Sequence, residues 1–552
     1  MITRRKFLAS SSVLALSRLA PMAWAQMASV PLGKLDPFWR YSAALGPYLE
    51  IGNGLTAVPE YMMVGDFPYR KRPFPREVLF ADQLSIVRLL GGYLIPGVSE
   101  KELRQMDLAW RDDEGRIRYR MHLLKPRLQP YIENGYSELT LVLDNVPYCF
   151  PAKPQAVGLG QFMPPRDPAE WKAFIMEVAQ WILDLFGPEA ASKLRFRVGT
   201  ENDSTDRWGG SQEQYIQHYQ DSAAAVREII PKARISFYNI SGVSVQDIPY
   251  ENVNAFALAE TCFQDQPHTP IDFIPFSRYY WQYDDPEQNA RQCGAVWNKF
   301  GELVPALKNS SREIQEFGTA TWEMTAHGQP SRSEPGALGA AQLMQMAFRL
   351  RQAGTNRLWH WSPLDIEIRD QEGRLRGLPT GQAWVYLVLE RMAGGETFLF
   401  PIANRTDSVK RLAVASLKRD SLILMASAYH PDGATGPPQT IELRLPATGT
   451  GRAPRIARLN ASNCVHSIVR SDLAMNKLLA EPFIHNPRFL GYVREMENSP
   501  AGEVLAAQNE SKYIEAWTDS LMLRPMTPTD GAVDGNVCRL RIATPEVVVV
   551  AL

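Results

Sequence analysis

The sequence predicts an α/β protein built as a (β/α)8 TIM barrel followed by a C-terminal antiparallel β-sandwich. Two observations carry this expectation. From about residue 80 to 400, short apolar strands alternate with amphipathic helices. Repeated β–α units of this length build a parallel sheet, and about eight of them imply a closed barrel. After about residue 400 the pattern changes to short strands separated by Pro, Gly, Asp and Asn, the signature of antiparallel sheets packed face to face. A doubly wound open sheet is the alternative for the first part, but no glycine-rich dinucleotide turn follows its first strand.

The elements follow in order. "LSIVRLLGG" (84–92) reads as a buried first strand ended by glycines, with Arg88 at its tip. "YRMHLLKPRLQPYIENG" carries apolar residues at helical spacing and stops at Gly135, and "ELTLVLDNVP" (138–147) is the next strand. "PAEWKAFIMEVAQWILDLFG" (168–187) has a 3.6-residue period and ends at a glycine. "LRFRVGTENDS" (194–204) alternates apolar and basic residues, with Leu194, Phe196 and Val198 on one face, and then stops at Gly199. "IDFIPFSRYY" (271–280), "REIQEFG" (312–318) and "NRLWHWSPLD" (356–365) are further strands, with helices between them. Beyond 400, "RLAVASL", "SLILMASAYH", "QTIELRLP", "RIARLNA", "CRLRIA" and "EVVVVAL" supply the sandwich.

At 552 residues the chain is long enough for two or three domains, and 45% hydrophobic with 22% charged residues is a globular composition. A net charge of −1 gives no electrostatic case for nucleic acid or an anionic membrane. Thirteen Trp and 20 Tyr offer flat apolar faces suited to sugar rings. Residues 1–25 read as an export signal: Thr3-Arg4-Arg5-Lys6-Phe7-Leu8 resembles the twin-arginine motif, and Ala23-Trp24-Ala25 offers a small-x-small cleavage site. No later apolar run approaches the length of a membrane span. The expected organisation is a signal at 1–25, a barrel at 26–400 with an extension at 26–45, and a sandwich at 401–552. The expected location is periplasmic or secreted, with the twin-arginine machinery as a partner during export. Five cysteines show no metal spacing; Cys262 with Cys293 and Cys464 with Cys538 are conceivable disulfides by region, and buried free thiols are the alternative.

Catalytic groups of a barrel sit at the carboxyl ends of its strands. Two strand ends carry glutamates here, Glu201 and Glu316, which by the strand count end the fourth and seventh strands. Two carboxylates across a pocket can divide the work, one donating a proton to a leaving oxygen and the other attacking as nucleophile. That is the machinery of glycoside hydrolysis on a carbohydrate substrate, and it needs neither metal nor cofactor. The chain contains no HExxH, GxSxG, P-loop or paired-cysteine metal motif. Asp203 and Asp206 are alternative acids, and Glu260 falls within a helix.

The order "VRLLGG", "LVLDNVP", "FRVGTEN", "IDFIPFSRYY", "IQEFG", "WHWS" resembles the glycoside hydrolases of clan A, most of all family 39. The resemblance implies a retaining hydrolase with Glu201 as general acid/base and Glu316 as nucleophile. It places Tyr279 beside the nucleophile and Trp361 on the pocket floor. Asn202 and Asn145 are candidate substrate contacts, and Arg88 binds either a hydroxyl or uronate of the substrate or a structural partner. Two positions depart from the pattern: Thr200 stands where an Asn precedes the acid/base, and Ser277 where a His precedes the Tyr. These departures keep open a non-catalytic carbohydrate-binding protein on a glycosidase-like barrel. An inverting hydrolase is the third reading.

Overall fold

The computed structural model describes residues 29–34, 44–45 and most of 86–552, the longer exceptions after residue 86 being 129–138, 325–329, 370–374, 403–407, 447–452 and 479–499. The export signal lies outside the described residues. Eight strands run parallel in sequence order: β1 (Ala44–Leu45), β2 (Ile86–Arg88), β3 (Thr140–Val142), β4 (Arg195–Val198), β5 (Arg234–Phe237), β6 (Phe273–Trp281), β7 (Ser311–Met324) and β8 (Arg357–His360). β1 to β5 form one ladder and β6 to β8 another, and a parallel bridge between Ile240 and Phe276 joins them. The Arg88 strand is therefore second in the order; the short Ala44–Leu45 strand precedes it and had no pattern of its own to announce it.

A sheet in strict sequential order has no switch point, so the doubly wound alternative fails. The sheet also curls. Flat neighbours stand about 4.8 Å apart, which would put β8 roughly 29 Å from β2. Yet Trp359 of β8 packs on Ile86 of β2 and Val142 of β3, and Arg195 of β4 binds Glu313 of β7. Among the described residues no hydrogen-bonded pairing joins β8 to β1.

Helices on the outer face are started by local chemistry. α1 (Glu100–Gln105) opens with a Ser99/Glu102 capping box, and α2 (Pro168–Ala191) with Asp167 accepting from Ala169 and Glu170 N–H and Pro168 at its first position. α2 breaks at Gly187, whose φ of +74° ends the helical run where the glycine predicts it. α3 (Gln212–Ile229) uses Ser211 with Gln214 as its box, and α4 (Ala255–Gln264) contains Glu260. α5 (Pro286–Leu303) begins at an Asp285 cap, and α6 (Ala337–Gln352) is buried along almost its whole length.

The reason α6 is buried is the second part of the chain. A seven-stranded sheet contains, among others, Glu396–Pro401, Lys410–Lys418, Ser421–Tyr429, Glu546–Ala551 and Arg455–Asn460, with Val30–Lys34 at one edge. A three-stranded sheet of Gly436–Arg444, Val537–Thr544 and Gly531–Asp534 covers one face, which makes the sandwich. In Lys410–Lys418, Ala413 and Ala415 face that sheet while Leu412 and Val414 join the main core on the helix side. Burial on both faces is why "RLAVASL" lacks polar alternation. Helices Val465–Met475, Pro500–Gln508 and Glu510–Leu521 interrupt the expected run of strands. All five cysteines are free thiols, so neither conceivable disulfide forms.

Candidate active site

β4 is where the sequence misleads most usefully. Its basic residues look like the wet face of a strand, but Arg195 and Arg197 are fully buried on the inner face. Leu194, Phe196 and Val198 face the helices as part of the core. Buried arginines need partners. Arg195 pairs with Glu313, Glu313 accepts from Gln315 Nε2 at 2.9 Å, and Gln315 Oε1 accepts from Arg197 at 3.1 Å. Arg197 then donates to Thr200 Oγ1 at 2.9 Å and stands 3.6 Å from Glu316 Oε1. A polar column thus rises along the inner face of the curled sheet toward Glu316.

Glu201 and Glu316 meet at the top of that column. Glu316 is buried, and both of its oxygens accept hydrogen bonds: Oε1 from Asn239 Nδ2 at 2.9 Å and Oε2 from the Tyr279 hydroxyl at 3.3 Å. Glu201 is half-buried, with Oε2 3.2 Å from Arg207 Nη2. Its backbone sits in the left-handed region at φ +51°, an arrangement that costs a non-glycine residue about 1 kcal/mol and turns the side chain across the mouth. Burial raises the Glu316 carboxyl above its ordinary range and the Glu201 charge raises it further, while Arg197, Arg207 and the Asn239 donor pull it down.

Asn239, at the end of β5, is the residue sequence reasoning missed. Its Nδ2 serves Glu316 and its Oδ1 accepts the backbone N–H of Glu201 at 3.3 Å, so one side chain ties the Glu201 backbone to the Glu316 carboxylate. The only available signal was its position after "RISFY", two residues past the end of β5. Ser277 lies opposite Glu316 in the β6–β7 register and accepts from the same Asn239 amide. Thr200 is held by Arg197. The two departures from the family pattern are therefore built into the network that surrounds the pair.

The remaining candidates divide. Tyr279 reaches Glu316. Arg88 is buried and pairs with Asp144 at 2.8 Å, and it also donates to Asn145 Oδ1; of the two roles open to it, the ion pair is observed. Burial by itself would raise the Asp144 carboxyl, but the charge and hydrogen bond of Arg88, with Thr200 and Arg197, leave it below its ordinary range. Asn145 also donates to Gly92 O at 3.4 Å. Asn202 is turned under its own loop, donating to Arg207 O at 3.0 Å. There a Cβ on Gly199 (φ +87°) would lie 1.9 Å from Asn202 Oδ1, so the turn before Glu201 requires glycine. Asp203 accepts from Ser241 N at 2.7 Å and Gly242 N at 2.9 Å and so anchors the loop, and Asp206 is exposed. Trp361 and the side chains of Trp281, Trp322 and His360 lie outside the described residues. Among the described residues no cluster of His, Cys, Asp or Glu could hold a metal ion, and no helix is long and apolar enough to cross a membrane.

Known proteins share these features. The chain is 25% identical over 248 residues to an alpha-1,4-L-rhamnosidase of Formosa agariphila, covering 43% of this chain and 48% of that one. It is 22% identical over 217 residues to a beta-xylosidase of Caldicellulosiruptor saccharolyticus, covering 38% and 41%. The chain thus spans about half the length of the curated relatives it matches. The crystal structure of a monomeric beta-xylosidase from Caulobacter crescentus CB15 superposes with a TM-score of 0.59 over 94% of this chain and 97% of its own, at 13% identity, a likeness of fold alone. Residues 103–334 match the model of glycosyl hydrolases family 39, so the stretch that delivers Glu201, Asn239, Tyr279 and Glu316 is the stretch that resembles that family.

Proposed function

We propose that this protein is a retaining glycoside hydrolase acting on an oligo- or polysaccharide, with the eight parallel strands closed as a (β/α)8 barrel. One observation carries the reading: Glu201, three residues past the end of β4, and Glu316, on the inner face of β7, are tied together by Asn239. In the first step Glu316 attacks the anomeric carbon while Glu201 protonates the departing glycosidic oxygen. Both oxygens of Glu316 accept from donors, which suits the ionised form, and a proton on Glu201 removes the like charge that opposes it. Loss of the leaving group carries that proton away. Glu201 then takes a proton from water, and the resulting hydroxide displaces Glu316 from the sugar. Arg207 steadies the Glu201 carboxylate during this half of the cycle.

The family model and both curated relatives support the glycosidase activity. Export through the twin-arginine machinery to the periplasm or beyond is part of the same reading and rests on Arg4-Arg5 and Ala23-Trp24-Ala25 alone. The test is reducing-sugar release from aryl glycosides and bacterial exopolysaccharides, with Glu201→Ala and Glu316→Ala beside the natural protein. Turnover lost in both variants, with the first-formed anomer matching the substrate by NMR, supports the reading. Turnover surviving both substitutions sinks it, and an inverted anomer sinks the double displacement.

A further inference from the structure

The loops that leave β2 and β3 enclose an open groove of about 740 Å3 that takes no part in the carboxylate pair. Its cations are Lys101, Arg104, Arg111, Arg120 and Arg166, against only two lining acids, Glu100 and Asp107. In a chain whose net charge is −1 this is a strong local excess. Arg104 is matched by Glu100 at 2.5 Å and Arg111 by Glu170 at 2.5 Å. Lys101, Arg120 and Arg166 pair with no carboxylate among the described residues. Asp107 is buried with its oxygens turned inward, Oδ1 accepting from Gly92 N at 2.6 Å and Oδ2 from Tyr148 N at 2.7 Å. Burial pushes its carboxyl up to about 7, so at neutral pH it carries only part of a charge to set against the cations.

Aromatic rings stand between these cations. The Arg120 guanidinium lies 5.1 Å over the ring of Trp110 and donates to the carbonyls of Arg104 and Asp107 at 3.2 and 3.1 Å. Arg104 lies 5.2 Å over Tyr148. Trp110 is 38% exposed, an unusual position for so large an apolar ring. A pre-fixed guanidinium loses little freedom when it binds an anion, and an exposed indole face suits the apolar face of a pyranose. We propose that this groove binds an anionic saccharide, a sugar chain carrying carboxylate or sulfate groups.

Asp107 ties the two loops together, and both leave the carboxyl ends of β2 and β3, the same end of the parallel sheet from which the Glu201 loop leaves β4. A chain seated here therefore continues toward the carboxylate pair, a placement that rests on the glycosidase reading. Binding itself does not, and calorimetry on the full chain separates the two. The probes are an oligogalacturonate, a carrageenan oligosaccharide bearing sulfate alone, a neutral xylo-oligosaccharide and duplex DNA of matched charge. At least one anionic oligosaccharide is expected to bind tenfold or more tightly than the neutral one, with an affinity that falls as salt rises. The two anionic arms show which acid is read. Lys101→Glu combined with Arg166→Glu alters two exposed side chains and should lower that affinity at least tenfold with an unchanged melting temperature; Trp110→Ala should weaken both kinds of sugar. Equal affinity for neutral and anionic sugars, full affinity in the double variant, or DNA bound as tightly as the saccharide would overturn the proposal. Binding without hydrolysis of any substrate refutes the catalytic reading and leaves the groove standing, whereas hydrolysis without anion preference does the reverse.

Discussion

Asn239 donates from its side-chain amide to Oε1 of Glu316 at 2.9 Å, while its carbonyl oxygen accepts the backbone N–H of Glu201 at 3.3 Å. One residue therefore anchors the Glu201 backbone beside Glu316 and helps hold the charge on the Glu316 carboxylate. Asn239→Ala should lower kcat/KM on the order of 10²-fold, as loss of a preorganised donor does. It should also move the acid limb of the pH profile upward. The sign follows from the donor favouring the ionised carboxylate: without it, burial and the Glu201 charge raise Glu316 further, and higher pH is needed to ionise it. An acid limb that stays in place would remove Asn239 from this role.

Glu201 is held at φ +51°. A glycine there avoids the steric cost that any other residue meets. Glu201→Gly should therefore melt at a higher temperature than Glu201→Ala, by about 1 kcal/mol of stability, while both lack turnover. If the alanine variant proves the more stable, no backbone strain resides at the acid/base position.

Glu313 is fully buried between Arg195 and Gln315. Removing one member of a buried pair leaves an uncompensated charge, so Glu313→Ala should cost ~3–5 kcal/mol in a denaturant titration. The same change should lower activity, because Gln315 and Arg197 lose the anchor beneath Glu316. A variant that unfolds like the natural protein would show the column to be dispensable.

In the sandwich, Asp530 accepts from Arg524 at 2.6 Å and from Arg458 at 3.0 Å. The Arg524 hydrogen bond, then Thr527 and the Arg458 charge, hold its carboxyl well below the ordinary range. A folded value below the unfolded one means that this contribution is present above about pH 4 and is lost as pH falls further. Asp530→Asn should flatten the acid side of a stability–pH curve and cost about 2–3 kcal/mol at neutral pH. An unchanged acid limb would show that other carboxylates govern it.

Local sequence was enough to place most elements, because helix caps and strand ends are written in adjacent residues. The Gly187 break and the turn at Gly199 fell where glycines predict them. Glu201 could be singled out for the same reason, since it follows a legible strand end; Glu316 was expected at the end of a strand at 312–318, but that strand continues to Met324 and Glu316 lies within it. The two-residue Ala44–Leu45 strand was too short to show a period, and the Val30–Lys34 edge strand joins a sheet whose other members lie more than 350 residues away.

What the sequence determined by itself is periodicity, punctuation and residue chemistry, each set by neighbours along the chain. Only tertiary structure decided what each face of β4 meets, and both are buried. An alternation of Leu, Arg, Phe and Arg specifies two faces without saying what each meets, and the curled sheet brings Glu313, Gln315 and Glu316 of β7 onto the basic one. The same curvature chose Asn239 as the link between Glu201 and Glu316, residues 115 apart in sequence. Side chains that meet across the curled sheet come from distant strands, and their partnership is a property of its curvature, which no local stretch of sequence contains.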